Sequence, residues 1–590
     1  MKRFWQNEAG YTLFLALLIT VLFMILALST VAFTMSGMKK NTAREEYVQA
    51  TELADKGMQH ITQEINTQLE EKLSENGMPR HQFAQILEDV LADYTCEANL
   101  VTGGTIGKYS ACIDGEWEDI FDQDGSKNEL RKLVPFKSVG TKKGKERTIY
   151  ANIEIGAKTV PDALKYAIGS HNNCEQQKDC GRIPGEGNLF LHGGVVIKGD
   201  LKVDNHIITS NRGYALLSRD YWLDSLFPSI LPSGNDQKAK LVLDGNMYTI
   251  EHPLQGRYAD HINSTHFSTP TYKKHNRPEE AFLQAPDIVN RAPVQDKVKI
   301  REQRDRFYYT KDDVEDRNIL HNYRIETGNQ YAEEKVYPYA EDCFFWWCDE
   351  ISEYRLQGTN TFRKFATEKN LLIRGNKNEF GKTTISEGMY VGGNLYIGNH
   401  SIGDNNYNPE AYDKIQMEGS IYIDGDLTIK GVDAKLNTLI YVNGDVTIQN
   451  TRINGLVNDG KEGSLIIFAN GKVHISNNSV NQDEPSNIRG FFYSESDFEM
   501  FGVGSNIHIS GGISARRIVL NAIRGRASYQ RFEGAQEANY RYFEGREGQG
   551  TRPSRLQVIY NPDIIHTYSD LKQEEPVIYD IDPPLVKERN

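Results

Sequence analysis

The sharpest contrast in polarity along the chain lies at its start. Between Tyr11 and Phe33 run 23 consecutive uncharged residues rich in Leu, Ile, Val and Phe. At 1.5 Å per residue a helix of that length crosses a hydrocarbon core of about 30 Å. The pattern then changes rather than stops. Ala50, Ala54, Met58, Ile61, Ile65, Leu69 and Leu73 recur every three or four positions, which is one apolar stripe on an amphipathic helix. Gly77 and Pro79 end it. A single stem helix is therefore expected over residues 11–77, spanning first and amphipathic afterwards. A cleaved secretory signal needs only about 7–15 apolar residues before a small-residue cleavage site, and no such context follows here.

Further on the periods shorten. Residues 79–95 read as a second short helix, and 96–157 as short strands with frequent turns, a small antiparallel sheet packed on the stem. Then a motif repeats: GDLKV (199–203), GNLYI (393–397), GDLTI (425–429), GDVTI (444–448) and GKVHI (471–475), with GSNIHI (504–509) one residue longer. From the second copy the spacings are 32, 19, 27 and 33 residues. Short strands repeated at such intervals predict stacked coils, that is, a parallel β-helix or β-solenoid. Leu427, Val446 and Val473 would share one interior column, and Ile429, Ile448 and Ile475 another. The rival is an antiparallel sandwich, since Asn-Gly and Asp-Gly also close hairpins. The fold class expected is α+β with a largely β body. The divisions are a leader (1–10), the stem helix (11–77), a small α+β head (78–180), a first coil (181–210), an insertion or elaborated loop region (211–385), the solenoid (386–526) and a polar tail (527–590). That tail holds a strand at LQVIYNPDII and a last segment that reads as extended or disordered.

Charge changes the picture little. There are 67 basic and 81 acidic residues, a net of −14, which argues against a dedicated nucleic-acid binder. KKGKER (142–147) is a basic exception, read as a solvated loop rather than a contact for DNA or an anionic surface polymer. The six cysteines form three local pairs, Cys96 with Cys112, Cys174 with Cys180 and Cys343 with Cys348. Near-neighbour pairing suits disulfides in an oxidising compartment, against the alternative of buried free thiols. Between the last two lie Phe344, Phe345, Trp346 and Trp347. They are candidate ligand-facing aromatics, for a sugar or a partner surface, although burial in a small satellite core is the weightier reading.

Candidate chemistry is sparse. No nucleophile, metal or nucleotide motif stands out, so no enzyme activity, cofactor or metal is expected. Asp200, Asp426 and Asp445 follow Gly at equivalent corners, where Asp serves turn geometry rather than a catalytic dyad or a cation. His474 and His508 occupy equivalent strand positions, read as outward-facing and inert. In DQDGSKNE (122–129) an EF-hand alignment would place Ile120 and Arg131 at ligand positions, so an Asp-Gly turn is expected.

The leader MKRFWQNEAG, followed at once by Tyr11-Thr12-Leu13, resembles the class III signal of type IV pilins and pseudopilins over residues 1–75. The resemblance implies cleavage after Gly10 by a prepilin peptidase and methylation of the new terminus at Tyr11. It implies retention of the helix as membrane anchor and filament stem, with Leu15, Ala50, Ala54, Met58, Ile61 and Ile65 packing against other pilins. One position departs from the pattern. Most members carry Glu at the fifth mature residue, to pair with the N-terminus of a neighbouring subunit, and here that residue is Leu15. Members without it include the K-type minor pseudopilins, and LFLALLITVLFMILALS also resembles the start of PilX-type assembly proteins. The implied role is a minor pilin-like subunit that primes or caps a pilus or pseudopilus. Its extracytoplasmic body would present a surface for adhesion or substrate, a surface polysaccharide included. A head of such bulk suits a single copy at the tip of a filament. The alternatives are a membrane-anchored β-solenoid adhesin or structural protein, and a tethered polysaccharide-active enzyme.

Overall fold

The structure is a computed structural model. It describes residues 8–589 except 74–79, 99, 105–106, 122–126, 158–161, 173–185, 217–219, 235–236, 290–297, 299, 308–340, 345–346, 351–352, 368, 405–406, 459, 572–580 and 582–584. The chain divides into two units. One comprises residues 1–159 together with 575–590, and the other residues 160–574. The large unit is thus an insertion in the small one.

In the small unit α1 runs unbroken over Glu8–Lys72 and α2 over Arg80–Ala92. The strands are β1 (Val101–Gly103), β2 (Lys108–Ile113), β3 (Glu118–Phe121), β4 (Lys127–Lys142) and β5 (Lys145–Gly156). They pair antiparallel in the order β1-β2-β4-β5, with β3 beside β4. Leu585–Arg589 adds antiparallel to β5. The final residues, expected as extended or disordered, therefore complete a sheet laid down more than four hundred residues earlier in the chain.

The predicted stripe lies on this sheet. Ala54, Ile61, Ile65 and Leu69 are fully buried with Phe83 and Leu87 of α2 and Val134 and Phe136 of β4. Small residues bring helix and sheet together: a Cβ on Gly140 would sit 2.0 Å from the Ala50 carbonyl oxygen, and one on Gly57 would sit 2.4 Å from Ser138 Oγ. The buried Lys132 ammonium bridges Glu88 at 2.8 Å and Asp119 at 2.7 Å.

The large unit is built on three parallel ladders. Successive register partners in the first are Leu371, Leu395, Leu427, Val446, Val473, Phe498, Ile518, Leu189, Ile207 and Met247. The second runs Ile415, Ala434, Ile453, Ile488, Ile509, Val558, Ile197 and Ile230. The third runs Ile421, Ile440, Ile467, Phe492, Ile513, Ile168, Leu201, Leu241 and Ile288. Apart from half-buried Ile288, these side chains are buried, and they meet in one core. The two expected columns are present, with Leu427 opposite Val446 and Val446 opposite Val473, and likewise Ile429, Ile448 and Ile475.

The order along each ladder is not the order of the chain. Strand Ile507–Ala522 pairs with strands near residues 168 and 189, so the first strands of the unit lie beside one of its last. Two expected divisions change accordingly. Residues 211–385 are no mere insertion, since Ser229–Leu231, Lys240–Leu243, Met247–Ile250, Asp287–Val289 and the strands from Glu353 to Arg374 all pair into the ladders. Leu556–Tyr560, placed in the polar tail, fills a rung between Ile507–Gly511 and Val196–Lys198.

Candidate functional site

The long helix is the first place to look for function. From Leu13 to Phe33 every side chain of α1 is exposed, Leu15 to 46%. Such a face is stable only against lipid or other apolar helices. The hydroxyls of Thr20, Thr30 and Thr34 donate to the carbonyls four residues back at 2.7–2.8 Å, which suits a helix in hydrocarbon. α1 is long and apolar enough to cross a membrane. Gly10 and Tyr11 lie in its first turns.

The stripe assigned to partner subunits is placed differently. Ala50, Ala54, Met58, Ile61 and Ile65 are buried in their own unit. An apolar stripe needs a cover, and the sheet of the same chain supplies it. Leu15 and its exposed neighbours are what remains for another helix.

Of the cysteines, Cys96 and Cys112 form a disulfide, with Cα atoms 4.9 Å apart. Cys343 and Cys348 are register partners in the antiparallel pair of Glu341–Phe344 with Trp347–Glu350, as are Phe344 and Trp347. Cys174, Cys180, Phe345 and Trp346 lie outside the described residues, as do Asp122, Asp124 and Gly125 of the Asp-Gly turn.

The corner carboxylates are engaged with backbone. Asn370 Oδ1 accepts from the Asn394 amide, Asn394 Oδ1 from Asp426, Asp426 Oδ1 from Asp445 and Asp445 Oδ1 from Lys472, at 2.7–2.8 Å. Asp200 Oδ1 accepts from Lys240 N in the same way. Each side chain thus caps the corner before the next strand of the ladder, not its own turn. Gly425, Gly444 and Gly471 are required beneath, because a Cβ there would lie 2.2–2.3 Å from the capping Oδ1. Replacing Asp426 or Asp445 with Ala should lower stability by about 1 kcal/mol each, read from urea midpoints. A larger loss that calcium reverses would instead place a cation on these carboxylates. Among the described residues no group of three or more His, Cys, Asp or Glu could hold a metal ion.

His474 is half-buried, with Nε2 3.0 Å from Ser476 Oγ and Nδ1 3.9 Å from Glu499. His508 lines a shallow cleft with Asp483, Arg526 and Arg552. Burial lowers the pKa of both imidazoles.

Two buried polar features had no signal in the sequence. In the first, His192 Nε2 meets His261 Nε2 at 2.9 Å. His192 Nδ1 lies 2.8 Å from Asn521 Oδ1, which also accepts the Tyr214 amide. A backbone N–H only donates, so that oxygen is an acceptor and His192 Nδ1 carries a proton. His192 Nε2 then accepts, His261 Nε2 donates, and His261 Nδ1 accepts from Tyr272 Oη at 2.8 Å. Asn521 Nδ2 donates onward to Tyr258 Oη at 2.8 Å. The tautomers follow from one amide. Burial holds the His192 pKa down to about 3 and that of His261 well below its ordinary value. In the second feature Arg555 is fully buried. Its Nε donates to the carbonyls of Val503 and Ser505, Nη1 to Gly525 and Nη2 to Gly504, at 3.0–3.2 Å. Burial pushes its pKa down to about 10.

No protein-family model matches the chain, and no curated protein matches it. Among solved structures it is similar to the crystal structure of the competence-associated pilin ComZ from Thermus thermophilus, with 10% sequence identity over 92% of this chain and 97% of that one, at a TM-score of 0.21. At that TM-score the likeness establishes no common fold.

Proposed function

We propose that this chain is a minor pilin-like subunit, processed after Gly10, that primes or caps a type IV pilus or pseudopilus and carries a β-solenoid head outside the cytoplasm. One observation carries the reading: α1 is a single helix whose first half is exposed and apolar while its second half is buried on an antiparallel sheet. That is the plan expected of a subunit whose helix leaves the membrane to join a bundle of like helices. Leu15 in place of a carboxylate favours a terminal position, since a subunit within the filament would lack the partner for its neighbour's N-terminus. The bulk of the inserted unit favours the same position, because repeating it along a bundle would crowd. The three ladders are read as faces of a parallel solenoid, offering a surface for adhesion or for a substrate such as a surface polysaccharide. The reading includes no enzymatic step: the corner carboxylates, the best candidates for one, are spent on backbone amides.

The N-terminal mass of the protein from native membranes, with and without an active prepilin peptidase, tests this. The expected mature chain begins at Tyr11, methylated, only when the peptidase is active. A chain beginning at Met1 in both cases would overturn the pilin reading and leave an anchored surface protein.

A further inference from the structure

We propose that the cleft lined by Asp483, Asn506, His508, Arg526, Arg552 and Arg555 binds an acidic sugar, taking the carboxylate of a uronic acid on its arginines and the ring hydroxyls on its acceptors. This deepens the reading of the head as a surface for polysaccharide, and it does not depend on processing after Gly10.

The walls of the cleft are tied to the ladder. Ser486 N donates to the Asn506 carbonyl and Ile507 N to that of Arg555, both at 2.8 Å, and Gly525 N to that of Pro553 at 2.9 Å. The volume is about 160 Å³, the space of about five water molecules. That suits the charged end of one sugar ring.

The buried charge selects an anion. Arg555 lines the cleft and is fully buried, yet it is held only by neutral carbonyls, through Nε and one N–H on each Nη. A guanidinium has five N–H groups, so two remain. No carboxylate touches it among the described residues, and a buried charge is costly without a partner. Two more cations stand at the rim, since Arg526 and Arg552 are both exposed. The Phe532 ring lies 4.6 Å from the Arg526 guanidinium and orients it. Arg526 Nε is 3.8 Å from Asp483 Oδ2, with side chains 48% and 67% exposed. A pair so exposed is weak and yields to a bidentate carboxylate. The Arg552 side chain has no partner among the described residues. Glu544 stands behind this wall, and its Oε2 accepts from Arg526 N at 3.3 Å.

The acceptors select a sugar. Asp483 faces the same cleft as the arginines. Burial lowers the His508 pKa, so the ring is neutral at pH 7; with one nitrogen engaged by the Ser554 backbone, the other accepts. Asn506 is 5% exposed and is fixed by Nδ2, which donates to the carbonyls of Gln482 and Asp483 at 3.4 and 2.7 Å. Its Oδ1 accepts nothing among the described residues. A DNA phosphodiester brings no hydroxyls to such acceptors, and Asp483 would repel its phosphates. A uronic acid carries a carboxylate and hydroxyls on one ring and answers to both.

The test is calorimetric titration of the full chain in detergent micelles with oligomers of galacturonic, glucuronic and mannuronic acid, their methyl esters, poly-aspartate and a single-stranded oligonucleotide. At least one uronate should bind, and esterification or the double substitution Arg526→Gln/Arg552→Gln should weaken it about tenfold. In the unaltered protein the bound uronate should slow modification of Arg526 and Arg552 by phenylglyoxal, read by mass spectrometry, which holds whether or not the variant folds. No binding by any uronate at millimolar concentration would overturn the proposal, as would equal binding of acid and ester, or arginines left unprotected. Tighter binding of poly-aspartate or the oligonucleotide would overturn it in favour of a peptide or nucleic-acid site. A chain that keeps Met1 but binds uronate would uphold this site and lose the pilin role, and a chain that begins at Tyr11 but binds none would do the reverse.

Discussion

Acidification from pH 7 to 4.5 is expected to weaken the large unit through His192 and His261 while leaving its ladders paired at neutral pH. Both imidazoles are buried, and both have folded-state pKa values below the ordinary 6.5, that of His192 at about 3. Above pH 6.5 they are neutral folded or unfolded, and the stability of the network is fully present. Below it the unfolded chain takes up protons that the folded one refuses, so stability falls with pH until the folded pKa is reached. His192 alone then costs roughly 2–3 kcal/mol at pH 4.5, two units below its unfolded value. A proton on His192 Nε2 would also point straight at the N–H of His261. The surrounding groups offer no relief: Asn521, Tyr258 and Tyr272 are neutral, His252 is itself held down to about 4, and Arg212 beside it adds positive charge against the single Asp224. Glu499 and Arg517 act on Tyr258 with opposite signs. Urea titrations at the two pH values, followed by the fluorescence of Trp222 and its fellow tryptophans, would read the effect. His192→Phe should lose the share of the pH dependence that His192 carries, even if it is less stable at pH 7, leaving the shares of His261, His252, His206, His474 and His508. An unfolding free energy that does not change between pH 6.5 and 4.5 would contradict the assignment.

Arg555→Met is expected to cost about 3–5 kcal/mol, because several buried carbonyls lose their donor at once. Methionine fills much of the space but leaves the carbonyls of Val503, Gly504, Ser505 and Gly525 without the guanidinium that joins them. Those carbonyls belong to the turn before strand Ile507–Ala522 and to the loop after it, so the damage should spread along the strand with which the first strands of the unit pair. Arg555→Lys should recover only part of the loss, because an ammonium offers three donors from one point and cannot reproduce the planar fork. Thermal melts of the two variants separate these outcomes. Equal melting temperatures for Met and Lys would mean that the geometry of the fork is unimportant.

How far the chain could be read in advance depended on whether a residue carried its own signal. Leu427, Val446 and Val473 each come with a Gly, a polar residue and a second aliphatic two positions on, so their column was legible from local spacing. The join of Ile518 to Leu189 was not, because nothing near either residue records a partner more than three hundred positions away. Residues 240–250 read as part of an insertion because charge rises around them, yet Leu241 and Met247 pair as well as any repeat. The stem stripe was visible from its period, but a period marks a face without naming its cover, and Ala50 to Ile65 proved to face their own sheet. His192 and His261 gave no signal at all, since each is an isolated histidine until the fold brings their rings together. The exposed half of α1 was the most legible feature, being a matter of composition alone.

The return of the chain to β5 has a mechanical meaning. The large unit is tied to the small one by two covalent connections, one after β5 and one before Leu585–Arg589, and these two strands are neighbours. A load that drags on the head is therefore shared between two tethers, and a protease that severs either leaves the head attached by the other. Shedding requires both cuts, or the cut after β5 together with the loss of the strand Leu585–Arg589 from the sheet.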